Sequence, residues 1–96
     1  MSVRYTRDAL RDLDQISAYI ARHNANAAAD LLTSVETVVA RLDRFPRSAQ
    51  ETEMTGVRGA PVLRYPYIIF YSIEDHGITI HYVRHAARLR PWESDE

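Results

Sequence analysis

Arg84, His85, Arg88 and Arg90, near the end of the chain, carry most of its capacity for chemistry. Guanidinium groups are permanent cations with a planar fork of donors, suited to bidentate contacts with carboxylate or phosphate. A histidine among them could move a proton near neutral pH if a second group held it in position. The sequence offers His85 for that role and reveals no partner for it. Two readings therefore stand: a site that binds phosphate or grips an acidic peptide, or surface arginines paired with Glu93, Asp95 and Glu96 of the tail. Arg58 and Arg64 lie upstream in the same stretch, Gly56 to Trp92, where only Glu74 and Asp75 oppose the basic residues.

Other chemistry is poorly supplied. There is no glycine-rich phosphate loop, no G-x-S-x-G elbow and no H-E-x-x-H. His81 and His85 are four apart, which would align them on a helix, but they fall on a strand and at its end. No cysteine or nearby carboxylate completes a ligand set, so neither a metal nor a cofactor is expected. His81 is expected to lie on a sheet face and bind nothing, and His23 and His76 to sit at element ends in solvent. Tyr65, Tyr67, Tyr71 and Tyr82 could stack RNA bases. They are more simply read as cover for the apolar sheet face, hydrogen-bonded through their hydroxyls, because one face must receive helices. Trp92, after Pro91, either pins the tail or anchors a partner.

The elements that must position these residues follow from periodicity. Ser2 to Tyr5 has weak strand character. Thr6 is a suitable N-cap, with Asp8 in the first turn, and Leu10, Leu13, Ile16 and Ile20 form an apolar stripe. That helix is expected to end near His23–Asn24, with Asn24 or Asn26 capping the next. The second stripe is Ala28, Leu31, Leu32, Val35, Val38, Val39 and Leu42, and it must stop before Phe45–Pro46. The short connection implies an αα-hairpin. Residues 47–59 show no periodicity and read as a loop. A strand around Ala60 to Arg64 is followed by a central one, Tyr67 to Ile73, and a turn, Glu74-Asp75-His76-Gly77, whose glycine is expected at positive φ. The last strand then alternates, with Ile78, Ile80 and Tyr82 on its apolar face. The architecture expected is α+β: a short strand and an αα-hairpin packed on a small antiparallel sheet of 3–4 strands.

Bulk properties agree with this. The 96 residues suit one domain, spanning 1–96 with residues 92–96 as a frayed tail. Apolar (46%) and charged (26%) fractions are those of an ordinary globular protein. No apolar run is long enough for a membrane span, and no secretory leader is evident. The absence of cysteine excludes disulfides and thiolate chemistry and fits a cytoplasmic protein. The net charge is −1, and every basic side chain is arginine, which is attributed to codon bias.

The order of elements resembles the RelE/ParE superfamily, the toxins of bacterial type II toxin–antitoxin pairs, including those linked to plasmid stabilization. So do Gly56-Val57-Arg58, the strand Tyr67-Ile68-Ile69-Phe70-Tyr71 and the exit Val83-Arg84-His85-Ala86-Ala87-Arg88. The likeness runs from the αα-hairpin to Trp92. It implies a helical hairpin on a small antiparallel sheet, and one of two activities. RelE-like members cut messenger RNA on the ribosome. Their pattern has an arginine after the tyrosine of the third strand, where this chain has Ile68, and catalytic lysines, of which it has none. Their arginine near the end of the last strand matches Arg88, and their C-terminal tyrosine has no counterpart. ParE-like members are regarded as DNA gyrase inhibitors lacking those residues, and the ParE-like branch is the better match. The resemblance then implies a non-catalytic toxin, without cofactor or membrane partner, that binds gyrase. It also implies a cognate antitoxin, through which alone the toxin would reach operator DNA. Arg58, Arg64, Arg84, His85, Arg88, Arg90 and Trp92 are the expected partner-binding residues. The alternatives are a ribonuclease using Arg64, Arg84, His85 and Arg88, or a non-toxic relative that only binds its antitoxin.

Overall fold

The computed structural model describes residues 2–87, and its first helix begins where a hydroxyl is available to cap it. Strand β1 (Ser2–Tyr5) leads into Thr6, whose Oγ1 accepts the Ala9 N–H at 3.0 Å and opens α1 (Arg7–Ala21). The helix ends two residues short of His23. Asn24 Oδ1 accepts the Ala27 N–H at 3.1 Å and opens α2 (Ala25–Arg44), which stops immediately before Phe45–Pro46, as expected. Buried Leu31, Val35, Val38, Val39 and Leu42 of α2 form the helical side of the core. Leu32 is partly exposed and lies at the margin of that stripe. The stripe of α1 is corrected more substantially. Ala9 is its only buried residue, Leu13, Ile16 and Ile20 pack against the core in part, and Leu10 is 55% exposed. The cause is placement: α1 runs over β1 and β5 at one side of the sheet, so less of its surface is covered.

Four more strands complete one sheet: β2 (Gln50–Glu51), β3 (Val57–Pro61), β4 (Tyr67–Glu74) and β5 (Gly77–His85), in the order β1-β5-β4-β3-β2. The α+β class holds, but the sheet has five strands rather than three or four, and β1 joins β5 in parallel. The helical hairpin together with β2, β3 and β4 lies between them in sequence and supplies the long connection that parallel pairing requires. The region expected to be loop contains β2, which pairs Gln50 with Gly59 and Glu51 with Arg58, and β3 begins at Val57 instead of Ala60. Gly56, at φ +80°, makes the tight return between them.

The sheet face toward the helices carries Ala60, Ile69, Tyr71, Ile78, Ile80 and Val83. Simple alternation would have placed Tyr82 there. The register shifts between Phe70 and Tyr71: Phe70 pairs with Tyr82 but Tyr71 with Ile80. His81 is therefore the extra residue of a β-bulge, and beyond it inward and outward positions exchange. Val83 is 2% exposed, whereas Tyr82 is only half-buried.

The β4–β5 turn depends on a glycine. Gly77 sits at φ +141°, and a Cβ built on it would lie 2.0 Å from the Ser2 carbonyl oxygen of β1. Gly77→Ala is thus expected to loosen β1 from the sheet and cost about 2–4 kcal/mol, read as a lower urea midpoint. A second prediction concerns Tyr71, which donates to the Pro46 carbonyl at 2.6 Å and ties β4 to the segment after α2. Burial raises its phenol above the usual tyrosine range, and burial also raises that of Tyr5. The folded state therefore keeps these protons where the unfolded chain releases them, and stability must fall as pH rises above about 10. Tyr71→Phe should cost about 1 kcal/mol at neutral pH and flatten the alkaline decline, measured by denaturation at pH 8 to 11.

Candidate functional site

A cleft of about 390 Å³ opens between α1 and the end of β5. Asp12, Gln15, Ile16 and Tyr19 line it from α1, at spacings that put them on one helix face. Tyr67 comes from β4, and Val83, Arg84 and His85 from β5. Asp12 joins the two sides. Its Oδ2 accepts the Val83 N–H at 3.0 Å and Arg84 Nε–H at 3.1 Å. The Asp12 side chain is 14% exposed and that of Arg84 38%, so this ion pair is partly withdrawn from water. Charge-assisted bonds so placed are worth more than the near-zero contribution of open surface pairs, on the order of 1.5–3 kcal/mol. The guanidinium also lies over the Tyr82 ring, 4.7 Å from its centroid. His85 stands edge-on to Tyr67 at 5.3 Å, and its Nδ1 accepts the Ala87 N–H at 3.0 Å. In the neutral ring the proton therefore sits on Nε2.

Of the expected site residues that are described, only Arg84 and His85 are brought together in this cleft. Arg84 pairs with Asp12; the acidic residues Glu93, Asp95 and Glu96 lie outside the described residues. Arg58 is directed to its own chain: Nη1 donates to the Ala49 carbonyl at 2.7 Å and to that of Arg47 at 3.4 Å, clamping the segment between α2 and β2. Arg64, at φ +70° in the β3–β4 connection, pairs with Asp30 of α2 at 3.1 Å and remains largely exposed. Asp30 also accepts the Tyr65 hydroxyl at 2.7 Å, and that bond raises the phenol's pKa, with burial adding to it. Tyr65 and Tyr71 thus behave as the sequence implied, covering the core and bonding through their hydroxyls. Arg88, Arg90 and Trp92 lie outside the described residues.

A second polar constellation was not anticipated. His81 Nε2 is 2.7 Å from Ser72 Oγ, and that hydroxyl in turn donates to Glu74. With a single proton on the hydroxyl, His81 must be the donor to Ser72 and Glu74 the final acceptor. His81 is therefore bonded, not idle, and the chain of contacts holds the bulge residue to β4. His76 is likewise engaged, with the Ile78 carbonyl and Thr79. Among the described residues no three metal-ligating side chains converge, and no helix is long and apolar enough to cross a membrane. Asp12, Gln15 and Tyr19 were missed because each sits on a helix face that reads as solvent. Only their shared spacing with Ile16 hinted at a common surface.

Known proteins resemble this chain in sequence and in fold. The chain matches, over residues 3–90, the family model described as ParE toxin of type II toxin-antitoxin system, parDE. A protein of Sinorhizobium fredii (strain NBRC 101917 / NGR234), named "Putative toxin Y4kP", is 35% identical over 89 residues, which are 93% of this chain and 92% of that one. A solved chain of the chromosomal ParDE TA system from P. aeruginosa superposes with a TM-score of 0.76 at 24% identity, over 88% of this chain and 95% of its own. A chain of the YoeB-YefM complex from Staphylococcus aureus does so with a TM-score of 0.61 at 13% identity and the same coverage, 88% and 95%. Those two likenesses concern the fold. The family match over nearly the whole length, together with the S. fredii relative, makes this chain a member of the ParE toxin family of type II toxin–antitoxin systems.

Proposed function

We propose that this toxin acts by binding DNA gyrase and not by cutting RNA, and that a cognate antitoxin neutralises it by covering its surface. The observation that carries the first part is Ile68. It occupies the position where the RelE-like pattern has an arginine, and it pairs across the strands with Arg84. An apolar side chain cannot stabilise the charge that develops during phosphodiester cleavage. Nor is the neighbouring chemistry complete. His85 Nδ1 is taken by a backbone amide, and among the described residues no carboxylate orients the ring as a general base would need. A binding role requires neither of these and no cofactor. Support for an antitoxin comes from the family itself and from the two solved relatives, which belong to a ParDE TA system and a YoeB-YefM complex.

Induced expression in a bacterial host is expected to arrest growth and relax plasmid supercoiling. Co-expression of the small protein encoded beside the toxin gene should restore both. Primer extension on messenger RNA after induction should show no codon-positioned cleavage. Cleavage that disappears in Arg88→Ala would instead establish a ribonuclease, and normal growth despite a stable complex would establish a non-toxic relative.

A further inference from the structure

We infer that Arg84 is a pre-set receptor for one acidic side chain of the antitoxin, with the adjoining cleft taking an apolar residue beside that acid. The inference rests on the antitoxin reading above and names the chemistry by which the partner is held. Two contacts already fix the guanidinium plane: Asp12 takes Nε–H, and the Tyr82 ring lies beneath at 4.7 Å. Both terminal nitrogens remain without a hydrogen bond among the described residues. A carboxylate meets two such parallel N–H groups in a bidentate pair. Because the arginine is held before the partner arrives, little side-chain freedom is lost on binding. Asp12 does not close the site, since the same oxygen also holds the Val83 amide and its side chain is 14% exposed.

Phosphate would fit the fork equally well, but the surroundings favour a peptide. The helix that frames the cleft carries Asp8, Asp12 and Asp14 against Arg7 and Arg11, with Arg11 paired to Asp8, so it offers no basic tract for a polyanionic backbone to follow. Beside Arg84 the cleft is lined by Ile16, Val83 and the rings of Tyr19 and Tyr67, with Asp12, Gln15 and His85 as its polar members. Tyr19, edge-on to His23, still leaves 58% of its surface exposed beside the cleft. An aromatic-lined hollow next to an arginine is the composition in which binding energy concentrates at protein interfaces.

The test uses the full-length toxin and a synthetic peptide of the adjacent gene's product, covering its C-terminal segment, in calorimetric titrations. Peptides with each Asp or Glu replaced in turn by its amide complete the set. Arg84→Gln should weaken binding by roughly 10- to 100-fold. Arg84→Lys, which keeps the charge but loses the fork, should forfeit most of the same factor. One amide replacement should match the Arg84→Gln loss on the wild type and add nothing on the variant. Unchanged binding by Arg84→Gln, or losses that multiply independently for every amide peptide, would overturn the proposal while leaving the antitoxin reading intact. No binding by the wild type would overturn both. If Arg84→Gln loses affinity for a short single-stranded oligonucleotide and not for the peptide, the fork is a phosphate site and the proposal fails. Unaltered circular dichroism of both variants at the titration temperature, with melting still well above it, would exclude misfolding as the cause.

Discussion

The outer edge of β5 is the constraint on which the rest of this toxin depends. A strand inside a sheet must satisfy backbone groups on both sides, and unpaired buried amides are costly. β4 accompanies β5 along its length, but β1 reaches only from Gly77 to Ile80. Beyond that point Thr6 takes over: its N–H bonds the Ile80 carbonyl and its hydroxyl the His81 carbonyl. Asp12 then accepts the Val83 N–H. A strand, a helix cap and a helix body close the edge in succession. This sequence of partners determines where α1 can begin and which of its faces meets the sheet. Thr6 serves both structures at once, capping α1 through Ala9 while bonding β5.

The bulge at His81 decides what that edge presents. Without an inserted residue the alternation from Ile78 and Ile80 would carry Tyr82 and Arg84 into the helix-covered core, where an arginine would be desolvated at high cost. With it, Val83 fills the core and Arg84 pairs with Ile68 on the helix-free side. Its guanidinium then meets Asp12 where β1 no longer covers the strand. The Glu74–Ser72–His81 contacts hold the inserted residue against β4. Polar groups remote from the cleft thereby set which residues line it.

Legibility in the sequence tracks the range of the interactions. Thr6, Asn24 and Pro46 act within one helical turn, and the two helices were readable from them almost to the residue. The glycine in the β4–β5 turn was readable for the same reason, since one φ value decides it. The two-residue strand β2 left no periodic trace, because pairing with Gly59 and Arg58 creates it and propensity does not. The parallel β1–β5 match and the bulge join residues more than seventy positions apart or depend on cross-strand register, and period-two reasoning cannot see an inserted residue. Asp12 was invisible for a similar reason. On a helical wheel it is one more solvated acid, and its partners are 71 and 72 residues away.

The disposition of the described candidate arginines, Arg58, Arg64 and Arg84, supports the proposed recognition role over catalysis on physical grounds. A catalytic cluster must aim several charges and a proton carrier at one reacting centre. Here Arg58 is bound to loop carbonyls, Arg64 to Asp30 and Arg84 to Asp12, each on a different element. Fixed so far apart in purpose, they cannot converge without breaking contacts that hold α2, the β3–β4 connection and the β5 edge in place. Arg84, whose terminal nitrogens no described residue bonds, lies in a cleft shared with Ile16, Tyr19 and Tyr67 and opposite Ile68, which supports the gripping of a side chain proposed above more than the cutting of a phosphodiester. The contacts that keep Arg84 oriented are also those that keep the fold closed, so the recognition proposed for this cleft would be coupled to the integrity of the sheet edge itself.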